Sequence, residues 1–168
     1  MKKNNVIFES KNLLYVNVDE NLINDYLKMV NDLEAQKGIS HKTTLYTYEQ
    51  ELIWVREKLT ENENAPIFSI IEKETGEYIG NVEITHVVNG VEEIGVTITL
   101  LKQNDRYGDE AMNAIIEYAL NVMNLENVEL NVYKTNLRVI HCYETVGFIK
   151  DEIGKTKKIV RELKKTLC

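Results

Sequence analysis

The sequence predicts an α/β fold of the mixed α+β kind, a mostly antiparallel sheet of about seven strands flanked by about four helices. Three observations predict it. Between Ala65 and Leu101 the runs "PIFSIIEK", "EYIGNVEITHVV" and "EEIGVTITLL" follow one another, joined by "ETGE" and by Asn89–Gly90. Asn-Gly between apolar-rich runs is a strong hairpin signal, so the three form an antiparallel meander. Stretches with helical spacing precede this block, and a β-α-β crossover follows it.

In chain order, "NLLYVNVD" reads as the opening strand. Residues 20–36 then place Leu22, Ile23, Tyr26, Leu27, Val30 and Leu33 near helical spacing, with Gly38 as the stop. Thr47 and Gln50 make a capping box that opens a helix packing Leu52, Ile53, Val55 and Leu59. Trp54 either joins the core or walls a pocket. After the meander, "DEAMNAIIEYALNVM" carries Ala111, Ile115, Ala119 and Val122 on one stripe of an amphipathic helix. "NVELNVYK" is a strand, and "NLRVIHCYETV" is a helix capped by Gly147. "GFIKDEI" and "KTKKIVREL" finish the chain as two strands around Gly154–Lys155.

Composition narrows the class. The chain has 168 residues, 43% of them hydrophobic, with a single Pro and 8 Gly, which suits one globular domain spanning 1–168. No apolar run approaches membrane-spanning length, and "MKKNNVIFES" lacks the apolar core of a secretion signal, so a cytoplasmic protein with no membrane partner is expected. Cys142 and Cys168 fit no metal spacing, and three scattered histidines make no ligand cluster, so no metal is expected. Net charge is −7, with seven Lys/Arg against three acids over residues 150–168, so the remainder carries −11. That acidic body argues against nucleic-acid binding and favours cationic small molecules. The basic final strand reads as a lysine-blunted sheet edge or as a strand pairing across a homodimer.

The stretch "QNDRYGDEA", Gln103–Ala111, lies between the last meander strand and a helix. Backbone N–H groups at such a helix start, aided by the helix dipole, form a ready anion site, and Gly108 allows close backbone approach. Further on, Asn136, Arg138, Ile140, Tyr143-Glu144 and Gly147-Phe148 form a specific string, "NLRVIHCYETVGF". Together with "YGDEA" after a strand ending "IGVTITL", this string resembles the GCN5-related N-acetyltransferase (GNAT) superfamily. The "YTYEQELIWV" helix and the meander look most like the branch that includes ribosomal-protein N-terminal acetyltransferases.

That resemblance implies an acetyl-CoA-dependent transfer to an amine. The family's loop pattern falls on Gln103 to Gly108; Gln103 and Gly108 match, while Arg106 replaces the central glycine. Arg106 would be strained there if the site needs positive φ. The resemblance assigns the coenzyme pyrophosphate to Gln103, Asn104, Arg106, Tyr107, Gly108 and Asp109, chiefly through backbone amides. Asp105 and Asp109 oppose a diphosphate unless they point outward. The amide of Val96 would face the thioester carbonyl, and Ile98 would pair with the pantetheine arm, which the Asn136 side chain also contacts.

Transfer needs a neutral amine, a polarised carbonyl and a protonated leaving thiolate. Tyr143 matches the family's acid for the coenzyme sulfur; otherwise it is a core tyrosine three residues after Ile140. Glu83 is the candidate general base, with Glu92, Glu93 and Glu129 as rivals, unless the amine arrives deprotonated. The acceptor is then a protein N-terminus or a small cationic amine such as a polyamine or aminoglycoside. A non-catalytic acyl-CoA-binding module on the same fold is the alternative, motivated by Arg106 and the acidic loop.

Overall fold

A computed structural model of the chain describes residues 5–32, 45–61, 65–85, 92–99, 102, 105–125, 127–133, 137, 140–141, 144, 148–153 and 156–162. Its elements are β1 Val6–Glu9, β2 Leu13–Asn17, α1 Ile23–Val30, α2 Tyr48–Glu61, β3 Ile67–Glu72, β4 Tyr78–Thr85, β5 Glu92–Ile98, α3 Tyr107–Asn121, β6 Asn127–Tyr133, β7 Ile149–Ile153 and β8 Thr156–Glu162. The strands make one eight-stranded sheet in the order β1-β2-β3-β4-β5-β6-β8-β7. β5 and β6 run parallel, joined through α3, and every other neighbouring pair is antiparallel.

The meander and the crossover are as expected, with one strand more. β1 escapes a reading by pattern because it is short, and half of its residues are exposed. Residue 20 does not begin an α-helix. Glu20–Leu22 is a 3-10 turn capped by Asp19, whose carboxylate accepts from the Asn21 amide at 2.8 Å, and α1 follows. The capping box forms in both directions: Thr47 N–H donates to Gln50 Oε1 at 2.9 Å, and Gln50 N–H to Thr47 Oγ1 at 3.3 Å. Leu137, Ile140, His141 and Glu144 are helical, in keeping with the fourth helix. The tips at Gly38, Asn89–Gly90, Gly147 and Gly154–Lys155 lie outside the described residues.

Helices cover both faces. On one, Ala111, Met112, Ile115 and Ala119 of α3 pack on Leu13, Tyr15, Phe68, Ile70, Val82, Ile84, Ile94 and Ile98. On the other, Ile23 and Tyr26 of α1 and Val55 of α2 pack on Val18 and Ile67, with Trp54 half-buried and edge-on to Tyr26 at 5.7 Å. Three expected core residues turn outward: Ile53 is 57% exposed, Leu59 46% and Val122 60%. Ile53 sits two residues from Val55, about 200° round the helix, so both cannot face the sheet. Val122 falls at the α3 C-cap, beyond the packed turns.

The basic final strand is corrected too. β8 lies inside the sheet between β6 and β7, paired along both sides, and the terminal edge belongs to β7. A strand already paired on both sides neither lies at an edge nor pairs across a dimer.

Candidate active site

The site begins with a fault in the sheet. β5 and β6 pair only at Glu92 with Val128 and Glu93 with Glu129, and beyond that they part, leaving a wedge toward their C-terminal ends. Crevices of this kind, at the carboxyl ends of parallel strands, are where α/β sheets take ligands. The hydrogen-bonding phase aims the backbone. Thr99 N–H donates to Ile79 O, so by alternation Thr97, Gly95 and Glu93 direct their polar groups at β4. Val96 and Ile98 therefore direct theirs toward the wedge.

A close approach locks β5 in that position. A register shift between Ile70 and Ile71 leaves Ile79 as an extra residue on β4. Beside it, a Cβ on Gly80 would stand 2.0 Å from the Thr97 carbonyl oxygen, so only glycine fits between the strands.

At the mouth of the wedge stands the N-terminus of α3. Glu110 N–H donates to Arg106 O, so the amides of Tyr107, Gly108 and Asp109 stand in the first turn of α3, at the positive end of the helix dipole. Arg106, the N-cap, takes φ 61°, ψ 14°, the left-handed geometry in which a non-glycine residue is strained. Gly108 has open space where a Cβ would stand, and Asp105 and Asp109 are exposed. A helix start, room for close approach and an adjacent guanidinium suit a diphosphate. Gln103, Asn104, Asn136 and Tyr143 lie outside the described residues.

Glu83 projects on the opposite face of the sheet from α3. Its partner across β5 is Gly95, and a Cβ at position 95 would meet Glu83 Oε1 at 2.9 Å and Cγ at 3.0 Å. The carboxylate thus lies over Gly95 of β5, the residue that precedes Val96 in the chain. Burial holds its pKa above the ordinary carboxylate range, with Lys58 opposing the rise and Glu93 adding to it. Of the rivals, Glu93 lies across from Glu129, which is buried, and both share the Glu83 face by strand alternation. On the same face, Glu51 of α2 is a buried carboxyl whose pKa is also raised by burial.

Sequence reasoning missed Glu72, the last residue of β3. It is 3% exposed, and its carboxylate accepts from Tyr107 Oη at 2.5 Å, Thr75 Oγ1 at 2.6 Å and Lys102 Nζ at 3.0 Å. Hydrogen bonds from Thr75, Tyr107 and Lys102, in that order, lower its pKa to about 2. The carboxylate bond in turn raises the Tyr107 phenol to about 12. One signal was legible, since "PIFSIIEK" ends a wholly buried strand on an acid, and a buried acid needs partners. Glu110 does similar work one turn into α3, accepting from Ser10 Oγ and Asn12 N–H, both at 2.6 Å. An open cavity of about 280 Å³ beside Tyr107 is lined by Lys11, Asn12, Glu72, Lys73 and Glu74.

Among the described residues no cluster of His, Cys, Asp and Glu could hold a metal ion, and no helix is long and apolar enough to cross a membrane.

Comparison with known proteins gives this architecture its class. The family described as acetyltransferase (GNAT) domain matches residues 12–149. The chain belongs to the GNAT acetyltransferase family, and it is by class an N-acetyltransferase. No curated protein matches it. Among solved structures, it is similar to a spermidine N-acetyltransferase from Vibrio cholerae in complex with CoA and spermine. That pair shares 16% identity over 91% of this chain and 96% of the other, with TM-score 0.78. A Vibrio cholerae protein provisionally described as a ribosomal-protein-serine acetyltransferase aligns at 13% identity over 95% and 99%, TM-score 0.75. A GNAT-family acetyltransferase from Bacillus anthracis aligns at 16% over 90% and 94%, TM-score 0.75.

Proposed function

We propose that residues 1–168 form one acetyltransferase domain that uses acetyl-CoA and transfers the acetyl group directly to a primary amine. The observation that carries this reading is the wedge, where β5 parts from β6 beside the N-terminus of α3. The coenzyme supplies an activated thioester carbonyl. Gln103, Asn104, Arg106, Tyr107, Gly108 and Asp109 hold its pyrophosphate. Val96 N–H donates to the carbonyl oxygen as negative charge gathers there, while Ile98 and Asn136 align the pantetheine arm. Glu83 takes the proton from the incoming ammonium, a task suited to a carboxylate whose pKa is raised by burial. Tyr143 returns a proton to the departing sulfur.

The acceptor is a small cationic amine or a protein N-terminus. A net charge of −7 and the carboxylates Glu83, Glu93 and Glu51 on the acceptor-side face favour a cation. The spermine in the Vibrio cholerae neighbour supports a polyamine, and the ribosomal-protein-serine neighbour supports an N-terminus.

The test is calorimetric titration with acetyl-CoA and with desulfo-coenzyme A, then thiol release over polyamines, aminoglycosides and N-terminal peptides. Binding of both ligands with amine-dependent thiol release is expected. Binding without release on any amine would favour the non-catalytic acyl-CoA module, and no binding at all would remove the coenzyme site.

A further inference from the structure

We propose that Glu72 is a positioning residue for the coenzyme: its carboxylate staples Lys102 to Tyr107 and so holds Arg106 in the left-handed geometry that aims the first amides of α3. This rests on the reading of the α3 N-terminus as the pyrophosphate site.

The carboxylate belongs to another part of the chain. Glu72 closes β3, and its neighbours fix it in a tight turn, with Glu72 N–H donating to Glu77 O and Gly76 N–H to Glu72 O. From this rigid point, Oε1 accepts from Tyr107 Oη at 2.5 Å and from Lys102 Nζ at 3.2 Å, while Oε2 accepts from Lys102 Nζ at 3.0 Å. Lys102 and Tyr107 bracket the segment that carries Arg106. Local bonds continue the tether: Lys102 N–H donates to Thr99 O, and Asp105 N–H to Lys102 O.

A non-glycine residue at φ 61° persists only where its surroundings over-determine it. Here the surroundings are two tethers to one buried acid, on either side of the strained residue. With them released, the strain relaxes and the start of α3 shifts, carrying the amides of Tyr107, Gly108 and Asp109 with it. A purely electrostatic role predicts the opposite sign. A carboxylate near a diphosphate repels it, so neutralising Glu72 would then tighten coenzyme binding.

The experiment measures the Kd of coenzyme A by calorimetry for the wild type, Glu72→Gln, Tyr107→Phe, Arg106→Gly and the Glu72→Gln/Arg106→Gly pair. Circular dichroism checks that each variant is folded. Glu72→Gln is expected to weaken binding by about tenfold, the loss of one charge-assisted bond's worth of ordering. In steady state the KM for acetyl-CoA rises while the KM for the amine does not. Because glycine needs no staple at φ 61°, Glu72→Gln costs under about threefold in the Arg106→Gly background.

Equal or tighter binding by Glu72→Gln overturns the proposal, as does an equal cost in both backgrounds. If Glu72→Gln does not fold, Tyr107→Phe decides alone: it removes one tether and must weaken binding by several-fold. A wild type that fails to bind coenzyme A sinks the pyrophosphate reading and the staple together. A wild type that binds, with Tyr107→Phe and Glu72→Gln unaltered, sinks only the staple.

Discussion

Gly80→Ala tests the close approach of β4 and β5. The added Cβ would stand 2.0 Å from Thr97 O, 3.0 Å from Thr97 C and 3.1 Å from Ile98 Cα, all backbone atoms that no rotamer change can move. Restoring ordinary contact requires the strands to part by more than about 1 Å, which stretches the ladder bonds of the flanking pairs. Overpacking of this kind costs about 1–3 kcal/mol, and each weakened bond adds up to about 1 kcal/mol. A total near 3 kcal/mol lowers Tm by about 6–12 °C for a chain of this size. Thermal melts followed by circular dichroism read it directly. Because Val96 and Ile98 move with Thr97, coenzyme affinity falls as well. A Tm within about 2 °C of wild type would refute the reasoning, since it would mean the β4–β5 approach yields at no cost.

Gly108→Ala should behave in the opposite way, since open space surrounds that position inside a helix. It raises stability by about 0.5–1 kcal/mol, while coenzyme binding, measured by calorimetry, weakens because the methyl group occupies the approach. Glu83→Gln flattens the acidic limb of kcat/KM, whose midpoint in the wild type lies above the ordinary 4.5. The sign for stability follows from the raised pKa: the protonated form is favoured in the folded state, so this contribution is full below 4.5 and is lost as pH rises through the folded value. Glu83→Gln therefore melts at a higher temperature than wild type at neutral pH. Tyr26→Phe removes the hydroxyl that accepts from Asp19 N–H at 3.1 Å and bonds Ser69 Oγ at 2.7 Å. With Ser69 fully buried, a loss of about 1–3 kcal/mol is expected in denaturant unfolding.

Legibility in the sequence followed the range of the interaction. Thr47 and Gln50 were readable because a capping box closes within one helical turn, and the meander because alternation and turn residues are local. Ala111, Ile115 and Ala119 were readable as a buried stripe, but the direction of Ile53 was not, since a helix with apolar residues scattered round it leaves its inner face to the sheet it meets. Glu72 was invisible as a staple because its partners, Lys102 and Tyr107, come from the far side of the meander. The strain at Arg106 could be posed as a condition, that a positive φ would strain it, but only the three-dimensional path of the chain answers it with φ 61°. Gly80 and Gly95 carry no sequence signal for what opposes them. Their meaning lies in the carbonyl of Thr97 and the side chain of Glu83.

The short pairing between β5 and β6 has a mechanical side. Strands β1 to β5 form one panel and β6, β8 and β7 another, and the backbone seam between them is two residue pairs long. The ladders that flank the seam run much further, seven pairs between β6 and β8 and six between β4 and β5. The backbone therefore bends most easily about Glu92 and Glu93, as a door turns on a low hinge. An extended ligand lying against Ile98 would act as a bolt higher up the frame, so occupancy and stiffness of the whole sheet should rise together. Slowed amide hydrogen exchange in β8 and β7, the strands of that panel that do not border the wedge, is the signature that this coupling leaves.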